Sequence, residues 1–275
     1  MSRPRSVPAG LRRRMSGVVG DSRRRLDSWR RRRRMAGPRL LRAFARACPE
    51  AFFIEIGSND GEQHDHLSDL IRSRPWRGIM VEPVPYVFRR LQANYQSNDR
   101  VALENVAVSN ADGSRAFYHL REAMPSEIDR LPRWYDGIGS FSRETVVGHR
   151  GFIPDIESRL IATEVPCVTF ESLCRRHGVA EFDLLLLDTE GHEAVILDAV
   201  DLDAHSPRLV VFEHYHLSEG DRDRCRRRLA AAGYDLLEEG FDTWCIGRRC
   251  PDDVRAVWGS LEPGAPALSA LSDRR

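Results

Sequence analysis

Apolar positions in this chain come in short unbroken runs, several of them closed by an acid. Residues 51–56 are apolar apart from Glu55 and stop at Gly57-Ser58-Asn59-Asp60-Gly61. That pattern predicts a buried strand entering a tight turn. Residues 78–82 predict a second strand, ending in Glu82. Residues 183–187 are wholly apolar after Asp183, and 208–212 form another run that meets Glu213-His214-Tyr215-His216. Runs without polar alternation suit a parallel sheet covered on both faces. Helical stretches are predicted between them at 65–73, 87–95, 170–177, from after Gly191 to 200 and at 221–232, with Gly178 and Gly233 as stops. The alternation predicts an α/β fold, a doubly wound and mostly parallel sheet with right-handed crossovers. Two last strands, 234–237 and 243–246, add an antiparallel edge.

The middle of the chain is less regular. A third strand is predicted over 101–108, then a turn at Asp112-Gly113 into a strand at 115–120. Residues 165–168 read as one more short strand. Residues 121–160 hold Pro, Gly and aromatics without a clean period and are predicted to be an insertion over the sheet edge, serving as a lid or binding loop. Trp134, Tyr135, Phe141 and Phe152 there are candidates for shaping a ligand pocket.

Charge divides the chain. Residues 1–47 carry 16 Arg against Asp21 and Asp27, a surplus of 14, within an overall charge of +1. The body is therefore acidic. The Arg runs repel one another and few apolar residues offset the entropy of ordering, so 1–47 is predicted to be a disordered basic arm, with a late helix at 38–47. All the basic side chains are Arg, which reads as coding bias. Trp29 alone among aromatics stands between the Arg runs, too little for a stacking surface, which speaks against a nucleic-acid partner. Met15 and Met35 offer alternative starts. Residues 48–250 form the expected domain, and 251–275 a tail.

Six cysteines lack any C-x-x-C pair, which excludes a zinc ribbon and predicts reduced thiols in a cytoplasmic protein. No apolar run reaches the length of about 18 residues that a membrane span needs. The first residues lack the apolar stretch of a secretory signal.

Chemistry concentrates at the strand ends, where open α/β sheets bind ligands. Gly57 and Gly61 bracket a turn spaced G-x-x-x-G, without the third glycine of a dinucleotide fingerprint. Glu55 would repel a phosphate and attract a cationic amino group. Glu82, at the second strand end, suits the two hydroxyls of a ribose. Asp188, Glu190, His192 and Glu193 occupy one strand–helix junction, and Glu213 with His214 the next. Acids with histidine suit a general base or a hard divalent cation. His214 and His216, two apart, would share a face of a strand. No residue is assigned as a metal ligand, and His64 and His66 are read as ordinary polar groups.

Four segments together resemble the FkbM family of S-adenosylmethionine-dependent methyltransferases: Phe53-Ile54-Glu55-Ile56-Gly57-Ser58-Asn59-Asp60-Gly61, Val81-Glu82-Pro83, Glu104-Asn105-Val106-Ala107-Val108-Ser109, and Leu187-Asp188-Thr189-Glu190-Gly191-His192-Glu193. The resemblance implies a class I methyltransferase fold and S-adenosyl-L-methionine as cofactor. It places Glu55, Gly57, Ser58, Asn59 and Gly61 at the methionine part. Glu82 and Pro83 fall at the ribose, Asn105 and Ala107 beside the adenine, and Asp188 at the mouth near the acceptor. Family members often methylate hydroxyls on sugars or polyketides, so a small-molecule acceptor is implied. Many members carry Lys two positions before the Asp of the D-x-E-G element, where this chain has Leu186.

An alcohol acceptor needs its proton removed. His214 is the first candidate base, oriented by Asp188 or Glu213, with His192 in reserve. In a second mechanism a divalent metal on Asp188 and Glu213 acidifies the hydroxyl. The alternative class is a non-catalytic nucleoside-binding or interaction protein that retains the fold.

Overall fold

The apolar runs become the middle of a sheet. The computed structural model describes residues 35–63 and 65–261. Strands β1 (Phe52–Ile56), β2 (Arg77–Val81) and β3 (Val101–Glu104) pair in parallel, with Ile54 opposite Ile79 and Ile79 opposite Ala102. Strands β4 (Ala107–Ser109), β5 (Gly113–Leu120) and β6 (Leu160–Thr169) form a separate small sheet in the order β4-β6-β5. Strands β7 (Leu184–Leu187), β8 (Leu209–Glu213), β9 (Asp235–Glu239) and β10 (Asp242–Ile246) complete the large one. Its order is β3-β2-β1-β7-β8-β10-β9 among the described residues, with only β10 antiparallel to its neighbours. The chain winds outward from β1 through β3, then returns to the other side of β1 as β7. The strand order therefore reverses between β1 and β7, where such sheets hold their ligands.

Alternate residues of each strand feed two apolar layers. Ile54, Ile56, Leu185, Leu187, Val210 and Phe212 meet the helices Phe170–His177, Glu193–Ala199 and Glu219–Ala231. Phe53, Met80, Leu184, Leu186, Val211 and Trp244 face the helices Ala36–Ala47, Ser68–Ser73, Pro85–Tyr95 and Asp252–Gly259.

Both flanks of the domain are more ordered than expected. The helix Ala36–Ala47 buries Leu40, Leu41 and Phe44 completely or nearly so. The Glu239 carboxylate accepts from the free N–H groups of Ala36 (2.8 Å) and Gly37 (3.0 Å), capping it from across the chain. The helix Asp252–Gly259 packs against it, so the expected tail contributes a structural layer. The remainder of the Arg-rich arm, 1–34, and residues 262–275 lie outside the described residues.

The predicted strand 101–108 is two strands in two sheets. Asn105 breaks it: its side-chain amide donates to the carbonyls of Glu82 (2.8 Å) and Pro83 (3.1 Å) and turns the chain away. The inserted layer consequently begins at Ala107 instead of residue 121. Its β6 is ten residues long and pairs antiparallel with β5 from Leu160↔Leu120 to Cys167↔Gly113.

Candidate active site

Three strand tips are tied together at the switch point. The N–H groups of Gly57 and Ser58 both donate to the Val81 carbonyl, at 2.9 and 3.0 Å. The Ser58 hydroxyl accepts from Val81 N–H and donates to the Glu55 carbonyl, each at 3.1 Å. Asp188 N–H donates to Ile56 at 2.9 Å, which brings in β7. Gly57 has φ +87°, and a Cβ built on it would lie 1.6 Å from the Asp188 carbonyl oxygen. No other residue fits there. Asn59 (φ +48°) directs its N–H to Glu82 Oε2 at 3.1 Å, and Val84 N–H donates to Glu82 Oε1 at 2.7 Å. Gly61 closes the turn beneath Tyr95, whose hydroxyl donates to its carbonyl at 3.0 Å.

This crevice is acidic and short of positive charge. Glu55 is 2% exposed, and its Oε2 has no hydrogen-bond partner. Burial first, then the facing Asp65 and Asp188, hold its carboxyl well above the usual range. Asp65 itself is pushed to about 6, chiefly by burial. Burial lifts Glu82 to about 8 despite its two backbone bonds, with Asp136 and Asp60 adding to the effect. Asp188 reaches solvent at the mouth yet is ringed by protein. Loss of bulk water around it, then the charges of Glu213 and Glu190, hold its carboxyl well up.

The strand–helix junction after β7 owes its shape to Glu193. This side chain is fully buried. Its Oε1 accepts from Thr189 N–H (2.7 Å) and the Thr189 hydroxyl (2.8 Å), and its Oε2 from Gly191 N–H (3.1 Å). The loop is thereby folded back on its own helix, with Glu190 at φ +53° and Gly191 at φ +100°. The Ser140 hydroxyl, from the inserted layer, donates to the Glu190 carbonyl at 2.8 Å. So held, Glu190 meets His216: Nδ1 lies 2.9 Å from Glu190 Oε2 and 3.0 Å from Glu213 Oε2. Although burial opposes it, bonding to the two carboxylates raises His216 to about 11, so it is an imidazolium at neutral pH. Burial lifts Glu213 to about 8. Carboxylate oxygens of Asp188, Glu190 and Glu213 lie within 4.8 Å of one another, as do ligating atoms of His149, Glu190 and His216.

The expected residues divide accordingly. Glu55, Gly57, Ser58, Asn59, Gly61, Glu82 and Asp188 gather at the tips of β1, β2 and β7, with Pro83 and Asn105 behind Glu82. Ala107 opens β4 and is buried against Val84 and Phe117. Glu213 joins Asp188 and Glu190. His214 does not: it is buried, bonded through Nδ1 to the Thr243 hydroxyl at 2.9 Å, on the sheet face of Phe212 and Cys245. His192 lies 3.0 Å from the Ser109 hydroxyl beside Phe141, and burial lowers it to about 4. His66 contacts Asp242 at 3.2 Å. His64 lies outside the described residues.

Asp65, Asp136 and His149 were not singled out from sequence. Asp136 is held by Arg90 Nη1 at 2.5 Å, leaving Oδ1 buried and without a partner, as is the Tyr86 hydroxyl nearby. Gly137 follows so closely on Asn59 that a Cβ would lie 3.0 Å from its amide nitrogen. An aspartate in a Pro- and Gly-rich insertion gives no sequence signal that it folds back onto the first turn.

Several solved structures are similar to this chain at low identity. An FkbM methyltransferase from Methylobacillus flagellatus KT shares 13% identity over 72% of this chain and 44% of its own, with a TM-score of 0.46. An O-methyltransferase from Bacillus cereus, in complex with SAH, shares 11% over 76% and 80%, with a TM-score of 0.39. A methyltransferase from Geobacter sulfurreducens shares 14% over 90% and 99%, with a TM-score of 0.37. The chain thus spans less than half the length of the first of these. No curated protein matches it. The family model of the methyltransferase FkbM domain matches residues 55–236, from Glu55 in β1 to Leu236 in β9, and covers well over half of the chain. This chain belongs to the FkbM methyltransferase family.

Proposed function

We propose that the protein transfers a methyl group from S-adenosyl-L-methionine to a hydroxyl of a small molecule. The observation that carries this reading is the convergence of Glu55, Glu82, Asp188 and Glu213 on one crevice with too little positive charge to balance them. Of these, Glu55 Oε2 is buried without a partner, which is costly unless a ligand completes it. A ligand with an ammonium and a sulfonium does so, whereas a pyrophosphate would not. Glu55, Gly57, Ser58, Asn59 and Gly61 would line the methionine part. Glu82 and Pro83 would hold the ribose, and Asn105 and Ala107 the adenine side. Asp136 and the Tyr86 hydroxyl, each with an unmet bond, would extend the nucleoside pocket.

Bound S-adenosyl-L-methionine would supply an electrophilic methyl to the acceptor oxygen, its sulfur keeping the bonding pair. The chain's own task is to place that oxygen and take its proton. Asp188 and Glu213 suit the proton-accepting role, because their carboxyls sit at the mouth and titrate well above ordinary acids. His216, held as an imidazolium, positions Glu190 and Glu213. His214, bonded to Thr243 on the opposite face, supports the sheet. The same three carboxylates offer oxygen ligands to a divalent cation, so methyl transfer that survives excess EDTA selects the metal-free route. Six free and buried thiols suit a reducing compartment, which fits the cytoplasm. Among the described residues no helix is long and apolar enough to cross a membrane.

Isothermal titration with S-adenosylmethionine and, separately, NAD tests the reading. Saturable binding of the first is expected, weakened about tenfold or more by Glu82→Ala through loss of charge-assisted bonds. Binding of NAD alone overturns it.

A further inference from the structure

Six aromatic rings form a continuous arc along the rim of the crevice. Phe152 meets Trp134 edge to face at 5.6 Å between centroids, and Trp134 meets His149 at 5.5 Å. His149 meets His216 at 5.2 Å, His216 meets Tyr215 at 4.8 Å, and Tyr215 meets Phe241 at 4.6 Å. The first three rings come from the inserted layer, the last three from the loops beside β8 and β10. The arc therefore joins the two sheets. It is open to solvent where a core would be closed: Phe152 is 57% exposed, Tyr215 46% and Phe241 41%. Exposed aromatics grouped in this way mark binding surfaces more than isolated ones do.

Acids gather beside the His216 end of the arc. Asp188, Glu190 and Glu213 stand together, with the single His216 cation bonded to two of them. Asp242, the next acid along the sheet edge, is cross-strand partner to Glu213 and is occupied by His66. A ligand lying on the His216 end of the arc meets these carboxylates. These accept hydrogen bonds from hydroxyl or ammonium groups, and as Glu213 gives up its proton through pH 8 they repel phosphate or carboxylate.

We propose that this arc is the acceptor platform, and that it selects a molecule with an apolar ring face and no negative charge near its acceptor hydroxyl. Phe152 and Tyr215 determine specificity by stacking on that face, and the carboxylates exclude anionic acceptors, sugar phosphates and uronic acids among them. The inference rests on the methyl-transfer reading above.

The test uses the full chain with S-adenosylhomocysteine and saturation-transfer NMR, at a pH above the value of about 8 at which Glu213 titrates. The probes are tyramine, tyrosol and 4-hydroxyphenylacetate, which share one ring and differ in charge, together with methyl glucoside and methyl glucuronide. Ring protons of the neutral and cationic probes should receive saturation, and the anions should bind about tenfold more weakly or worse. Phe152→Ala and Tyr215→Ala should weaken the binding of the neutral probes about tenfold and leave S-adenosylhomocysteine affinity unchanged. Both side chains are solvent-exposed, so neither change threatens folding. Equal or better binding of the anions, absence of binding by every neutral and cationic probe, or indifference to both substitutions overturns the proposal. Failure of S-adenosylhomocysteine itself to bind instead sinks the methyl-transfer reading.

Discussion

Glu193→Ala should both destabilise the fold and disable the site, because one buried carboxylate shapes the whole junction after β7. Alanine removes the acceptor of Thr189 N–H, the Thr189 hydroxyl and Gly191 N–H. With three donors left without their partner, at about 1 kcal/mol net apiece, the expected loss is about 3 kcal/mol. The junction then has no reason to keep Glu190 in its left-handed conformation, which costs about 1 kcal/mol by itself. Once Glu190 relaxes, His216 keeps only Glu213, and its proton affinity should fall from the value of about 11 set by two carboxylates. Glu193→Gln retains one accepting oxygen but turns an amide toward one of the donors, so it should fall between wild type and alanine. Urea unfolding gives the stability, and NMR titration of the His216 ring gives the second effect. A loss below about 1 kcal/mol, or an unchanged His216 titration in a destabilised variant, would refute the argument that this carboxylate holds the loop.

Two further outcomes are expected. Glu82 alone should lower stability by about 2 kcal/mol between pH 6.5 and 8.5: raised to about 8, it keeps its proton when folded and gives it up when unfolded, so the folded state is favoured at the acid end of that window and progressively less as pH rises through 8. Glu213 and His216 act in the same direction, whereas His192, lowered to about 4, exerts its effect below 6.5; a urea midpoint that is flat or rising across the window contradicts the assignment. Leu186→Lys should cost less stability in the wild-type background than in Glu55→Gln, with a coupling of about 1–3 kcal/mol in a double-mutant cycle, since the two positions are cross-strand partners on one face; additive effects would show that they do not sense each other.

The first of these positions shows how far the sequence could be read. Strands β1, β2, β7 and β8 were legible because their burial on both faces demands unbroken apolar runs, and an acid ending such a run stands out. From them followed the parallel sheet and its antiparallel last pairing, while the family came from the resemblance of four motif segments, and both hold. Leu186 was visible as a departure, but its consequence was not. Register alone shows that it lies opposite Glu55, where Asp65 approaches from the other side. The inserted layer was nearly silent, since β6 alternates poorly, carries Pro166, and pairs with β5 through a contact set by neither strand alone. The helix Ala36–Ala47 was read from residue 38 onward, but its burial against the sheet was hidden by averaging over the arm. Arg39, Arg42 and Arg46 share the charge of the arm before them, yet they leave one face to Leu40, Leu41 and Phe44, and that face covers the sheet.

The two histidines after β8 carry the same lesson to the chemistry. Residues two apart share a face only while a strand lasts. Here β8 ends at Glu213. His214 continues the alternation for one more residue and is buried with Thr243. The chain then turns, and His216 swings back over the strand tip to bridge Glu190 and Glu213. A pattern of His-x-His therefore became one structural histidine and one imidazolium at the mouth. What decided between them was the length of a strand, which depends on where β10 stops pairing: Asp242 is its last partner, and it faces Glu213. The carboxylate at that last rung is thus the residue whose position the sheet guarantees. That is why proton acceptance is proposed for Glu213 and Asp188, which sit on adjacent strand ends, and not for an imidazole whose place depends on a turn.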